Sequence, residues 1–224
     1  MRIRSIKRAA WCAAALAATL SGPAQAVFIG NSQGGTDFPQ GAASFADAVV
    51  SYAVGPGGVT APHQVASSAT GVPNYAGDNS CDLPSCSFVS LGDGGSVTLR
   101  FTDNLLTGSG SAALDLWVFE VGPDIEDTFV EISKDGVTYV SVGKVFGSTA
   151  GIDIDAFGFG VADQFGYIRL TDDPNEGGNS GATVGADIDA VGAISTVVVS
   201  VPEPGTLGLL ALGLLACGAF RRRG

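Results

Sequence analysis

Carboxylates are the dense chemical resource of this chain. Two short segments repeat one arrangement, Asp153-Ile154-Asp155 and Asp187-Ile188-Asp189. In an extended backbone residues i and i+2 project to the same side, so each segment aims two carboxylates together. Two ionised carboxylates held that close repel unless a cation sits between them. Calcium suits such a site, because it takes six to eight oxygens from carboxylates, carbonyls and water. Asp172, at the end of one expected strand, and Glu120, at the end of another, add further oxygens. These six residues form the expected calcium set. The competing reading makes them solvated strand-edge acids that cap turns and block edge pairing. An EF-hand is excluded. Counting from Asp153, the fifth and twelfth positions are Phe157 and Gln164, where that loop needs an oxygen ligand and a bidentate Glu.

Other chemistry finds little support. Gly30-Asn31-Ser32-Gln33-Gly34 fits the spacing of a nucleophile elbow, but that turn must follow a core strand and open a helix. Here only residues 27–29 precede it in the expected mature chain, so the match is read as chance. His63 is the sole histidine, in Ala-Pro-His-Gln, and reads as a loop imidazole at the surface. Paired acids also serve glycosidases, at separations of about 5 to 10 Å. Acids this numerous make such pairs common, which leaves a secreted hydrolase as a distant alternative. The expectation is a protein with no catalytic residues.

The elements that must position the acids are β-strands. Residues 96–101 alternate, with Val97, Leu99 and Phe101 on one face. Leu114, Leu116, Val118 and Glu120 share one face of the next strand; Asp115, Trp117, Phe119 and Val121 share the other. That alternation makes Trp117 and Phe119 core residues rather than a sugar-stacking platform. Segments 129–133 and 137–142 flank Lys134-Asp135-Gly136, a hairpin signal. Further strands are expected at 46–54, 167–171 and 190–199. Glycine clusters punctuate them, residues 31–41 and 55–79 read as long loops, and no apolar period of 3.6 occurs in the mature domain. The pattern indicates an all-β fold, an antiparallel β-sandwich.

Both ends of the chain lie outside that fold. Arg2, Arg4, Lys7 and Arg8 precede an apolar stretch at 9–20. Ala24-Gln25-Ala26 then fits the small-x-small cleavage rule. Residues 1–26 are therefore expected to be a signal peptide, with Ala24 and Ala26 marking the cut. At the other end, Pro202-Glu203-Pro204 breaks the chain ahead of an uncharged run at 205–220, and Arg221, Arg222 and Arg223 follow. As a helix the run spans roughly 24 Å, short of a hydrocarbon core of about 30 Å. The arginines act as a cytoplasmic stop. This order resembles the PEP-CTERM sorting signal of Gram-negative bacteria. The resemblance implies an exosortase (a membrane cysteine transpeptidase) as partner. It also implies a transient stay in the inner membrane, then release to the cell surface or extracellular matrix. An ordinary membrane anchor is the plainer alternative.

The domain between, residues 27–200, is long enough for one core. The whole chain has 11 basic and 22 acidic residues. Only Arg100, Lys134, Lys144 and Arg169 are basic in the mature part, against 21 acids, a net charge near −17. No basic footprint exists to neutralise phosphates, which excludes nucleic acid as a partner. Cys81 and Cys86 are expected to pair in an oxidising compartment, a ring worth about 2 kcal/mol. Two thiolates and one distant histidine do not complete a zinc site.

Several segments form a familiar succession. They are residues 90–99, Asp115-Leu116-Trp117-Val118-Phe119-Glu120, Val130-Glu131-Ile132-Ser133-Lys134-Asp135-Gly136, Tyr167-Ile168-Arg169-Leu170-Thr171-Asp172 and Ala186-Asp187-Ile188-Asp189-Ala190-Val191. Over residues 46–194 this resembles secreted bacterial cell-surface domains of the galactose-binding-like, discoidin-like jelly-roll type. The resemblance implies an eight- to nine-stranded sandwich, often with a structural calcium and often carbohydrate-binding or adhesive. A structural or adhesive role is the first functional expectation. A calcium-dependent module for extracellular polysaccharide is the second.

Overall fold

The structure, a computed structural model, describes residues 25–30, 35–77, 81, 86–121, 126–146, 149–176 and 180–199. The expected signal peptide cut, Pro202-Glu203-Pro204 and Arg221–Arg223 lie outside these residues, except for Ala26. Among the described residues no helix is long and apolar enough to cross a membrane. The only helical pieces among them are 3-10 turns of three or four residues.

The strands are β1 (Val27–Ile29), β2 (Thr36–Phe38), β3 (Ala48–Ala53), β4 (Val89–Ser90), β5 (Ser96–Arg100), β6 (Asn104–Leu106) and β7 (Leu116–Glu120). They continue with β8 (Thr128–Ser133), β9 (Val140–Val145), β10 (Thr149–Ile152), β11 (Tyr167–Asp172), β12 (Asp187–Ala193) and β13 (Thr196–Val198). One sheet has the order β10-β7-β12-β4 and the other β3-β5-β11-β8-β9; all pairs are antiparallel. Take β4, β5, β7, β8, β9, β10, β11 and β12 as strands one to eight. The sheets then read 6-3-8-1 and 2-7-4-5, with β3 added at an edge. Apart from the β8–β9 hairpin, successive strands of this set lie in opposite sheets. This is the double Greek key of a jelly roll.

Alternation explains the packing. In β11, Ile168 and Leu170 are fully buried while Tyr167, Arg169 and Thr171 face outward. They meet Val97 and Leu99 of β5, Val130 and Ile132 of β8, and Val118, Ile188 and Val191 from the facing sheet. Outward-facing Arg169 sits opposite Glu131 in register, bonds its carboxylate at 2.6 Å and lies over the Tyr139 ring.

A second apolar layer covers the outer face of the four-stranded sheet. Trp117 and Phe119 are buried there against Phe38 and Phe45, with Val27 and Ile29 of the β1–β2 hairpin packed alongside. Strand β7 is therefore covered on both faces. The two phenylalanines fit because Gly192 has no side chain. A Cβ at that position would lie 2.6 Å from the Phe38 ring and 2.8 Å from the Phe45 ring.

The structure corrects several expectations. The region 31–41 holds β2 rather than being all loop, and 55–79 contains two 3-10 turns. The expected strand at 190–199 is two strands in different sheets, since the chain bends after Ala193. The Lys134-Asp135-Gly136 turn is wider than a two-residue hairpin. Asp135 Oδ1 accepts from the Val137 and Thr138 amides, both at 2.8 Å, and β9 begins only at Val140. His63 is buried, not superficial. Its Nδ1 lies 2.9 Å from Thr60 Oγ1 and its ring packs on Phe88. Cys81 and Cys86 form a disulfide.

Candidate functional site

Strand β7 runs through the middle of its sheet and carries an acid at each end. Asp115, immediately before it, and Glu120, its last residue, are both buried. They anchor two separate constellations.

At the first end Asp115 is fully excluded from solvent. Its backbone is held on both sides: the amide donates to Ile152 O at 2.8 Å and the carbonyl accepts from Ile194 N at 2.7 Å. Its Oδ2 accepts from the Ile154 amide at 3.0 Å, and its Oδ1 has no hydrogen-bond partner. Asp153 and Asp155 close around it. One carboxylate oxygen from each of the three residues lies within 4.8 Å of the others. The pair does not arise from an extended chain as expected, because β10 ends at Ile152 and Asp155 opens a 3-10 turn. The turn itself joins them, with Asp153 Oδ1 accepting from the Asp155 amide at 2.9 Å. Asp155 Oδ2 also accepts from Ser109 N at 2.8 Å and Gly110 N at 3.1 Å. The loop can come this close because residue 108 is glycine; a Cβ there would lie 2.8 Å from Asp155 Oδ2. Burial raises the Asp115 pKa and the Asp155 charge adds to the rise. The Ser195 hydroxyl, the Ile154 amide and the Ser109 hydroxyl oppose it.

At the other end a pocket of about 340 Å³ is lined by Glu120, Asp189, Tyr75, Pro73, Phe119 and Ile29, among others. Neither oxygen of Glu120 has a hydrogen-bond partner. Burial pushes its pKa to about 9, the charges of Glu126 and Asp187 contribute, and the nearby Asp187 amide offers slight relief without bonding geometry. Asp189 is better served. Its Oδ2 accepts from the Asn74 amide at 3.0 Å and the Tyr75 amide at 3.1 Å. Its pKa still rises to about 6, because burial outweighs those two donors.

Asp187 and Asp189 are therefore not a same-side pair. A bulge between Ile188 and Ala190 breaks the alternation. Asp187 turns to the Ser90 hydroxyl, whose backbone carbonyl holds the Tyr52 hydroxyl at 2.6 Å. Burial and the Asp187 charge push the Tyr52 phenol to about 12.

Asp172 stands apart as a clamp. Its two oxygens accept from Gly94 N at 2.9 Å and Ala186 N at 2.8 Å, tying the β4–β5 turn to the approach of β12. A third acidic cluster, Asp127, Asp173 and Glu176, is gathered around Lys144, with contacts of 2.7, 2.8 and 3.6 Å. That lysine holds Asp173 down at about 2. The near approach of His63 to Cys81 and Cys86 offers no metal site, because both sulfurs are in the disulfide.

Of the six expected ligands, the structure brings together Asp153 with Asp155, and Glu120 with Asp189 at one pocket. Asp172 and Asp187 have separate partners. Sequence reasoning missed Asp115 and Glu126. Asp115 had one signal, a charged residue on the face otherwise occupied by Trp117 and Phe119. Glu126 sits outside any alternating run and gave none.

Residues 200–223 match the PEP-CTERM protein-sorting motif. The motif marks an exported protein sorted by an exosortase. A comparison with curated proteins finds no match. Two solved structures are similar to this chain. One is the C-terminal domain of a chitobiase from Bacteroides fragilis, with 13% identity and a TM-score of 0.39, covering 68% of this chain and 95% of that one. The other is CpGH89CBM32-6, produced by Clostridium perfringens, with 12% identity and a TM-score of 0.32, covering 48% of this chain and 74% of that one. The sandwich assignment rests on the strand order above rather than on these weak likenesses.

Proposed function

We propose that this protein is a non-catalytic component of the cell surface or extracellular matrix of a Gram-negative bacterium, with a structural or adhesive role. The observation that carries this reading is the sorting motif placed directly behind a single sandwich. Strand β13 ends at Val198 and the motif begins at residue 200. So short a connection holds the folded domain at the membrane until the tail is processed. Processing then leaves an acidic domain outside the cell.

The test uses a host that carries the exosortase. Wild-type protein is expected in the surface or matrix fraction without its C-terminal residues. Replacing Pro202, Glu203 and Pro204 by alanine is expected to leave full-length chain in the inner membrane. Intact mass decides the matter: wild-type protein from that host that still ends at Gly224 would sink the sorting reading.

A second reading, calcium-dependent carbohydrate binding, is favoured by the pocket at Glu120 and Asp189. Sugar hydroxyls can accept from the protonated Glu120 and donate to the Asp189 carboxylate, and Tyr75 and Pro73 offer apolar surface beside them. Calcium-dependent retention on polysaccharide resins, lost in Glu120→Ala, supports it. Turnover of a glycan or an ester by the purified chain would replace both readings with a hydrolase.

A further inference from the structure

We propose that the pocket beside Glu120 and Asp189 binds a primary alkylammonium group, of the kind carried by a lysine side chain or by one end of a polyamine. The inference stands independently of the sorting and polysaccharide readings, and it needs no calcium.

The first ground is a cavity that holds acids and no base. Its volume of about 340 Å³ suits a small organic group. Strand β1, the loop at 73–75, β7 and β12 all contribute to its wall. Among the described residues that line it, none is basic. The basic side chains are engaged elsewhere: Lys134 with Asp163, Lys144 with Asp127 and Asp173, Arg169 with Glu131, and Arg100 over Tyr167. The acidic cluster of Asp127, Asp173 and Glu176 differs in this respect, since it already encloses a lysine ammonium.

The second ground is Glu120 itself. It is 1% exposed, and neither of its side-chain oxygens has a hydrogen-bond partner. A buried acceptor without a donor is costly to keep, and a donor brought by a ligand removes the cost. Glu120 offers an acceptor oxygen whether or not it carries a proton. The negative charge comes from Asp189, which is ionised above its pKa of about 6. The Asn74 and Tyr75 amides take up part of its capacity. A carboxylate has about four lone-pair sites, so Asp189 retains room for an ammonium N–H.

The rest of the wall selects the kind of cation. Ile29, Pro73 and Phe119 are apolar. A metal ion carries no apolar surface for such walls to cover, whereas an alkylammonium has a carbon chain behind its three N–H donors. Tyr75 and Phe119 add aromatic rings, whose faces attract cations. Tyr75 is held edge-on against Phe88, with ring centroids 5.9 Å apart. The field of the whole domain agrees in sign. With 21 acids and four bases in residues 27–200, it draws cations in and turns anions away.

The experiment uses the full chain in detergent at pH 7.5 with chelator present. Nα-acetyl-lysine methylamide and cadaverine are titrated calorimetrically. Nα-acetyl-norleucine methylamide, with a similar carbon chain and no charge, runs beside them. One amine per chain is expected to bind, with the norleucine compound weaker by about tenfold or more. Tighter binding of the lysine compound identifies a protein side chain as the source of the group; tighter binding of cadaverine identifies a free polyamine. Asp189→Asn keeps an acceptor for the Asn74 and Tyr75 amides but removes the charge. It is expected to weaken amine binding about tenfold or more. Glu120→Leu, which fills the same buried position without oxygens, serves if Asp189→Asn does not fold, and the same loss is expected. Glu176→Gln, in the cluster around Lys144, should leave binding unchanged. Absence of binding by both amines, equal binding of the norleucine compound, or unaltered binding in the Asp189 and Glu120 variants overturns the proposal. Equal weakening in Glu176→Gln would trace the binding to the general field of the domain and overturn the site.

Discussion

Glu120 is a buried acid whose neutral form the fold favours. Its folded pKa of about 9 lies above the ordinary glutamate value of 4.5. Below pH 4.5 both folded and unfolded states hold the proton, and stability is undiminished. Between 4.5 and 9 the unfolded chain releases the proton while the folded chain keeps it, so stability falls as pH rises. Above about 9 the loss is complete. Asp189, with a folded pKa of about 6, adds a smaller loss of the same sign between its ordinary value of 3.8 and 6. Glu120→Gln is therefore expected to flatten the Tm profile between pH 6 and 9 and to exceed wild type at pH 8, by a few kcal/mol at most. Parallel profiles for the two proteins across that range would sink the idea. Some of this was legible in the sequence. Alternation placed Glu120 on the face of Leu116 and Val118, and the structure buries it, at a pocket that Phe119 also lines. The separation of Asp187 from Asp189 was not legible, because it depends on a bulge, and pattern alone does not reveal an inserted residue. Nor was the burial of His63, which depends on a Phe88 ring 25 positions away.

Individual strands follow from alternation where they are long and half-buried, as β5, β8 and β11 are. Strands β1, β4, β6 and β10 have only two to four residues, too few for a period of two to register. In such elements tertiary contact decides the conformation. The cover over the outer face of the four-stranded sheet shows how tightly. Gly192→Ala introduces a methyl 2.6 Å from Phe38 and 2.8 Å from Phe45, so both rings must move. A cost of about 1–3 kcal/mol is expected, the usual range for overpacking. The loss should be local. Amide exchange should quicken in β1 and β2 while the protection of β5 and β11 is unchanged. Uniform acceleration across all strands would mean that the hairpin is not a separate layer. The Asp172 clamp makes a contrasting case. Asp172→Ala removes the acceptor of two amides, Gly94 in the β4–β5 turn and Ala186 ahead of β12. Here exchange should quicken at both places together, with a loss of about 2–3 kcal/mol.

For the whole molecule, sequence reasoning reached furthest at the C-terminal tail and in the charge, and least in the topology. The tail motif and the acidic balance are local or summed properties, readable without a fold. The order of the sheets is set by pairings between residues such as Val118 and Val191, far apart in the chain, and no short pattern specifies them. The charge leads to the last prediction. Of the four basic side chains in residues 27–200, Lys134, Lys144 and Arg169 are already paired with acids and Arg100 lies over Tyr167. With 21 acids against these four, most carboxylates lack a basic partner and repel one another. The Debye length shortens from about 30 Å at 0.01 M salt to about 3 Å at 1 M, so added salt should relieve that repulsion continuously rather than saturate. Tm is expected to rise across that whole range in sodium chloride. A Tm that is flat or falling with salt would show that repulsion among the surface acids is already relieved by their spacing and hydration.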